Sequence, residues 1–257
     1  MTLKIALAGA KGRMGQLITD EIYRFEDLKL VAAFDLLGVG GTLGGGVEVS
    51  DPSDMARVLD ISEAQVLIDF TVPAATVENV LKAADQGVNL VVGTTGFTED
   101  QRREMAAAIE GRVSAVISPN YSVGVNLFWR LIDEAARSLS GYDIEVIEAH
   151  HRNKMDAPSG TASEAVKVLA RAIGRDEVVH GRMGFGLRGD EIGVHAVRAG
   201  DIVGDHTVLF AGPGERLEIK HQAHSRKAFA SGAVRAARWV VSAPRGIYTM
   251  ADVLGQR

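Results

Sequence analysis

Apolar and polar positions follow two different patterns along this chain. Up to Tyr121, short apolar runs of strand length alternate with stretches of helical periodicity. The runs Lys4–Ala8, Leu30–Phe34, Val66–Phe70, Asn89–Val92 and Val113–Ile117 predict buried strands. Between them, Leu17, Ile18 and Ile22 share one face of a helix that starts near Met14, and Ala74–Gln86 and Glu99–Glu110 predict two more helices. Strands that alternate with helices at this spacing imply right-handed crossovers and a parallel sheet. After Tyr121 the pattern predicts a long amphipathic helix over Val123–Leu139, a strand over Tyr142–Glu148 and a helix over Ala162–Ile173. Three runs follow, Glu191–Arg198, His206–Ala211 and Leu217–His221, divided by Gly200-Asp201 and Gly212-Pro213-Gly214, and they read as an antiparallel meander. A final helix is expected over Ser225–Val241, returning to the first domain. The change of pattern puts a domain boundary near Tyr121.

Composition narrows the class. The chain is 46% hydrophobic and 24% charged, as in ordinary globular proteins. A net charge of -5, with no basic block, argues against a nucleic-acid partner. No apolar run approaches the ~20 residues of a membrane span. There is no cysteine, which excludes disulfides and thiolate chemistry and fits a reducing compartment. The strand-like run begins at Lys4, so the expectation is a cytoplasmic chain without a signal peptide.

The turn after the first strand, Gly9-Ala10-Lys11-Gly12-Arg13-Met14-Gly15, is G-x-x-G-x-x-G. It lies between a strand and a helix, and Asp35 ends the next strand twenty residues beyond Gly15. That arrangement suits a dinucleotide: helix N–H groups meet the pyrophosphate and the acid accepts from the ribose hydroxyls. An acid at this place favours NADH, whereas Lys11 and Arg13 could attract the 2′-phosphate of NADPH. Gly93-Thr94-Thr95 and Ser118-Pro119-Asn120-Tyr121 end later strands of the same sheet, where ligands of open parallel sheets bind.

The densest chemistry is in EAHHRNKMDAPSGTA, Glu148–Ala162. A histidine is the natural proton shuttle at neutral pH, which makes His150 and His151 candidates, and Lys154 can hold a carboxylate or give a proton. Thr161 followed by Glu164 fits a capping box, so the N–H groups around Gly160 and Thr161 form an anion site at a helix start. No metal is expected, because adjacent histidines do not share a face and no third ligand is in pattern. Ser159 lacks a nucleophile elbow, and His180, His195, His206, His221 and His224 read as structural or surface residues. Glu148, Arg152 and Asp156 carry no assignment.

With GTTGF at 93–97, NYSVGVN at 120–126 and SRKAFASGAVRAA at 225–237, these motifs resemble the dihydrodipicolinate reductase family over the whole chain. The resemblance implies an α/β fold: a Rossmann-like dinucleotide-binding domain over 1–121, completed by 231–257, plus a mixed α/β substrate and oligomerisation domain over 122–230. It implies a homotetramer that reduces a small cyclic dicarboxylate with NADH or NADPH in lysine and diaminopimelate synthesis. By position, His150 matches the proton donor and acceptor, and Lys154 a second proton donor. His151, Gly160 and Thr161 match substrate contacts. Gly9, Ala10, Lys11, Gly12, Arg13, Met14, Asp35, Gly93, Thr94, Thr95, Ser118, Pro119, Asn120 and Tyr121 match cofactor contacts. Some members place an arginine after the ribose acid, where Leu36 stands here, and some have glycine in place of Lys11; the expectation is use of both cofactors, leaning to NADH. From the residues alone, another amino-acid-pathway dehydrogenase and a non-catalytic dinucleotide-binding protein stay open.

Overall fold

A computed structural model describes residues 2–255 of the chain. Two compact units form: one comprises Met1–Val123 and Lys227–Arg257, the other Gly124–Arg226. In chain order, the first unit contains β1 (Leu3–Ala8), α1 (Arg13–Ile22), β2 (Leu28–Phe34), β3 (Val49–Ser50), α2 (Met55–Ser62), β4 (Val66–Asp69), α3 (Pro73–Asp85), β5 (Asn89–Val92), α4 (Glu99–Ile109) and β6 (Ser114–Ile117). The second is built from α5 (Val123–Ser138), β7 (Asp143–His150), α6 (Gly160–Ile173), β8 (Val178–His180), β9 (Ile192–Arg198), β10 (Gly204–Gly212) and β11 (Glu215–Ala223). The chain then completes the first unit with α7 (Lys227–Val240), β12 (Gly246–Tyr248) and α8 (Met250–Val253). Among the described residues no helix is long and apolar enough to cross a membrane.

The first unit holds a seven-stranded sheet in the order β12-β6-β5-β4-β1-β2-β3, parallel at every pairing. The strand order reverses between β1 and β4, the topological switch of a doubly wound fold. Both faces are covered, which is why its strands read as unbroken apolar runs. Ile5 and Leu7 of β1 pack on one side with Ile18, Ile22, Ala233 and Val240 of α1 and α7. Ala6 and Ala8 pack on the other with Leu59, Val80 and Ile109 of α2, α3 and α4. Local sequence explains the helix starts: Pro73 opens α3, and Thr98 with Gln101 closes a capping box on α4. The elements without a legible signal are β3, β8, β12, α2 and α8. The three strands have two or three residues each, too short for any periodicity, and exist by pairing with a longer neighbour.

The second unit departs from the expected meander. Its five strands run β11-β10-β7-β9-β8. β7 lies between β9 and β10, parallel to the first from Ile144↔Ile192 to His150↔Arg198 and antiparallel to the second. Only β10 and β11 form a hairpin. The physical reason is β7 itself, whose buried alternation Ile144, Val146, Glu148, His150 is satisfied only in the middle of the sheet. Helices α5 and α6 cover that inner face, with Phe128, Ile132, Ala165 and Leu169 meeting Ile144, Val146, Val208 and Phe210. Two polar side chains, Glu148 and His150, therefore continue an apolar stripe.

One contact in the first unit is unusually close. A Cβ on Gly232, inside α7, would stand 1.7 Å from the Tyr121 carbonyl oxygen, so the helix backbone rests directly on the segment after β6. Gly232→Ala is expected to lose on the order of 1–3 kcal/mol from overpacking, although alanine favours a helix by about 1 kcal/mol over glycine. An unchanged urea midpoint for the variant would refute this account of the packing.

Candidate active site

The glycine turn after β1 is shaped by close approach. Gly9 has φ of 77°, and a Cβ there would stand 2.6 Å from the Phe70 carbonyl oxygen; on Gly15 it would meet the Gly9 carbonyl at 2.1 Å. The turn thereby lies tight against the start of α1, whose N-cap, Gly12, brings no capping side chain. The first N–H groups of α1 consequently face outward without an intrahelical acceptor, as a pyrophosphate needs. Ala10 is buried, Met14 is half-buried and Arg13 exposed. Asp35, at the end of β2, accepts from the Lys11 N–H through Oδ2 at 2.8 Å and from the Leu37 N–H through Oδ1 at 2.9 Å. The Lys11 side chain reaches Gly38, where a Cβ would stand 2.8 Å from its Cε.

The ends of β4, β5 and β6 complete this edge of the sheet. Gly93 has no room for a Cβ, which would overlap the Phe70 ring at 2.2 Å. The hydroxyl of Thr94 is spent on an internal network: Thr76 Oγ1 lies 2.8 Å from it, and the Thr71 N–H donates to it at 3.1 Å. That network is centred on Asp69, fully buried, which accepts from the hydroxyls of Thr71 and Thr76 and from Asn79 Nδ2 at 2.7–2.8 Å. Thr95 and Pro119 are exposed. Ser118 Oγ donates to the Asn120 carbonyl at 3.0 Å and Asn120 Oδ1 accepts from the Ser122 N–H at 2.8 Å. The Tyr121 side chain lies in the core with its hydroxyl 2.8 Å from the carbonyls of both Val92 and Val116, and burial drives its pKa well above the ordinary value. Tyr121 can thus offer a ligand only its backbone. Asp69 was not singled out in the sequence; its signal was faint, an acid at the end of an apolar run followed by threonines.

In the second unit the proton-transfer candidates are gathered around Glu148. Its side chain is wholly buried, and Oε2 lies 2.6 Å from His150 Nδ1. Arg198 grips both carboxylate oxygens at 2.8 Å, and the Ser159 N–H donates to Oε1 at 3.0 Å. Burial works to raise the Glu148 pKa, but Arg198, His150 and Ser159 together hold it below its ordinary value. Burial lowers the His150 pKa, with Lys154 and Arg198 adding to the effect against the pull of Glu148. His206, expected to be without active-site company, is instead in ring contact with His150 at 5.1 Å and 3.0 Å from Ser159 Oγ through Nε2. Burial brings its pKa down to about 4, so it is neutral at physiological pH.

The other candidates surround this cluster. The Lys154 N–H donates to the His151 carbonyl, folding the chain back, and its Nζ pairs with Asp156 Oδ1 at 2.8 Å. His151 is half-buried, with Nε2 3.4 Å from Arg226 and Nδ1 buried without a partner. The expected capping box is not formed. Ser159, in extended conformation, is the N-cap of α6 and accepts from the Ala162 N–H at 3.2 Å, so that Gly160 and Thr161 are the first two residues of the helix. Glu164 pairs instead with Lys167 and Arg171. The cause is tertiary: Glu148 takes the Ser159 N–H and fixes the helix start there. The helix still begins at Gly160-Thr161, the place where an anion site was expected. Arg198 carried no sequence signal, being fifty residues from its partner in the chain.

The family model for the dihydrodipicolinate reductase N-terminus matches residues 3–121 and that for the C-terminus matches residues 124–254. The 4-hydroxy-tetrahydrodipicolinate reductases of Methanosarcina barkeri and Methanococcoides burtonii are 56% and 54% identical to the chain over 261 residues, covering 98% of it and 99% of each relative. A dipicolinate-bound dihydrodipicolinate reductase from Paenisporosarcina sp. TG-14 has a TM-score of 0.83 at 26% identity, covering 98% of this chain and 99% of that one. An amine dehydrogenase from Mycobacterium smegmatis shares the fold alone, with a TM-score of 0.61 at 16% identity. Matched by both halves of the family model and by relatives along its whole length, the chain belongs to the dihydrodipicolinate reductase family.

Proposed function

We propose that this protein is a 4-hydroxy-tetrahydrodipicolinate reductase, using NAD(P)H to convert the cyclic hydroxy-dicarboxylate to tetrahydrodipicolinate with loss of water, in lysine and diaminopimelate synthesis. The observation that carries the reading is the Glu148-held His150, beside Lys154 and the start of α6, in a chain of this family. The reduced nicotinamide supplies a hydride when bound. Gly9, Gly12 and the N–H groups of α1 would hold the pyrophosphate, with Lys11, Arg13 and Met14 as its further contacts. Gly93 to Thr95 and Ser118 to Tyr121 border the same strand ends through backbone and exposed side chains.

The substrate's two carboxylates call for cations and N–H donors. Lys154, His151 and the Gly160-Thr161 N–H groups supply them. Lys154 pairs with Asp156: burial works to raise the pKa of that carboxylate, but its hydrogen bond to Lys154 and the lysine's charge hold it below the ordinary value. The 4-hydroxyl leaves as water with a ring proton, and His150 would give the proton that the reduced ring takes up. Both nucleotides serve. Asp35 favours the free ribose of NADH, and exposed Leu36 offers no grip on a 2′-phosphate, while Lys11 lies against the loop where that phosphate would be. NADH is therefore the better donor.

A cytoplasmic homotetramer is the assembly we assign. The outer face of the second unit's sheet supports it, with Ile147 and Val197 exposed where an outer sheet face is usually polar. Met183, Phe185 and Leu187 in the segment between β8 and β9 are fully exposed.

Three measurements test these assignments. Nicotinamide absorbance, with substrate generated in situ by the preceding synthase, should fall with both nucleotides and faster with NADH; no oxidation with either would remove the reading. His150→Gln should lower kcat about a hundredfold with little change in KM, and Lys154→Ala should also raise KM for the dicarboxylate. Near-normal turnover in both variants would overturn the roles given to them. Light scattering should give a mass of about four 27.3 kDa chains, and a monomer would sink the tetramer.

A further inference from the structure

The carboxylate of Glu148 does more than neutralise a neighbour. It receives four N–H donors from three parts of the second unit: His150 on its own strand, Arg198 twice from β9, and Ser159 at the start of α6. Arg198 also donates to the Asp156 carbonyl at 2.6 Å, so one guanidinium ties the sheet to the turn that follows Lys154. A buried carboxylate is stable only when so paired. Ionised, it can only accept, so the ring nitrogen 2.6 Å from it must be the donor. The other nitrogen, Nε2, faces Gly204, where a Cβ would stand 3.0 Å away.

We propose that Glu148, braced by Arg198, is the positioning residue of this active site: it holds His150 as the Nδ1–H tautomer and so dedicates Nε2 to proton exchange with the substrate. The proposal rests on the reading of His150 as proton donor and adds which atom acts and what fixes it. Gly204 belongs to the same device, since any side chain there would crowd Nε2. The groups facing the His150 ring are Glu148 from β7, Arg198 from β9, His206 from β10 and Lys154 from the following loop. His206 is neutral, so the cations Lys154 and Arg198 and the desolvation oppose Glu148. Resting His150 is consequently neutral, with Nε2 bare. A dicarboxylate beside Lys154 adds negative charge near the ring and raises its proton affinity, so the proton is loaded as substrate binds. Since the acid form is needed, kcat/KM should fall as pH rises through a value below 6.5, the free enzyme's, and kcat should fall at a higher pH.

Imidazole nitrogen NMR on the intact protein reads the tautomer directly. Wild type should show His150 protonated at Nδ1 with Nε2 bare. Glu148→Gln can turn an amide N–H toward Nδ1 and should move the proton to Nε2. It should lower kcat about a hundredfold, leave KM for NADH unchanged and shift the kcat/KM limb to lower pH, because the charge that raises the His150 pKa is gone. Arg198→Lys, which keeps the charge but loses the fork, should give a milder, roughly tenfold loss with the wild-type tautomer. A wild-type His150 protonated at Nε2 overturns the proposal whether or not the glutamine variant folds. So does a folded Glu148→Gln that keeps the Nδ1–H tautomer and the wild-type pH profile. Wild-type turnover in His150→Gln would be a separate failure, that of the proton-donor reading itself.

Discussion

A buried carboxylate that cannot remain unpaired governs the second unit. Glu148 lies on the face of β7 where Ile144 and Val146 fill the core, and no water-facing path relieves its charge. Leaving such a group without partners would cost several kcal/mol. Everything that meets its demand is thereby placed: Arg198 in register across the sheet, the His150 ring turned inward, and the Ser159 N–H at the head of α6. The groups we assign to proton transfer inherit their geometry from this electrostatic requirement. The same requirement explains why the helix begins at Gly160 and why the chain between Lys154 and Ser159 is held at Asp156 and Ser159.

The first unit uses the same physics on a smaller scale. Asp69 gathers Thr71, Thr76, Thr94 and Asn79 at the ends of β4 and β5, and Asp35 gathers two backbone N–H groups between the glycine turn and the loop after β2. Loops at the open edge of a parallel sheet lack ladder partners, and a carboxylate acceptor replaces them. The turn and loops at this edge are thus fastened by the chain's own groups.

How far the sequence foretold this depends on whether the signal was local. Long periodic segments such as α3, α5 and α7 were legible because a helical face needs only its own residues. The strand, glycine turn and helix at the start of the chain were legible for the same reason. Contacts across the chain were not. Nothing near Arg198 announces Glu148, and nothing near His206 announces His150, since both pairings arise only when β7 enters between β9 and β10. The misread cap has the same origin: Thr161 and Glu164 satisfy a local rule, but the distant Glu148 fixes Ser159 first.

Asp35 shows what such economy of parts entails. Its two oxygens anchor the turn at Lys11 and the loop at Leu37. The side chain to which we assign nucleotide choice is therefore also a fastener of the loop beside it. Exchanging it for a neutral or basic residue would remove both anchors and loosen the turn and the loop in one stroke. Exposed Leu36 carries no such double duty. On that assignment, nucleotide choice changes at least cost at the neighbour of the acid, which leaves the acid free to stay as it is.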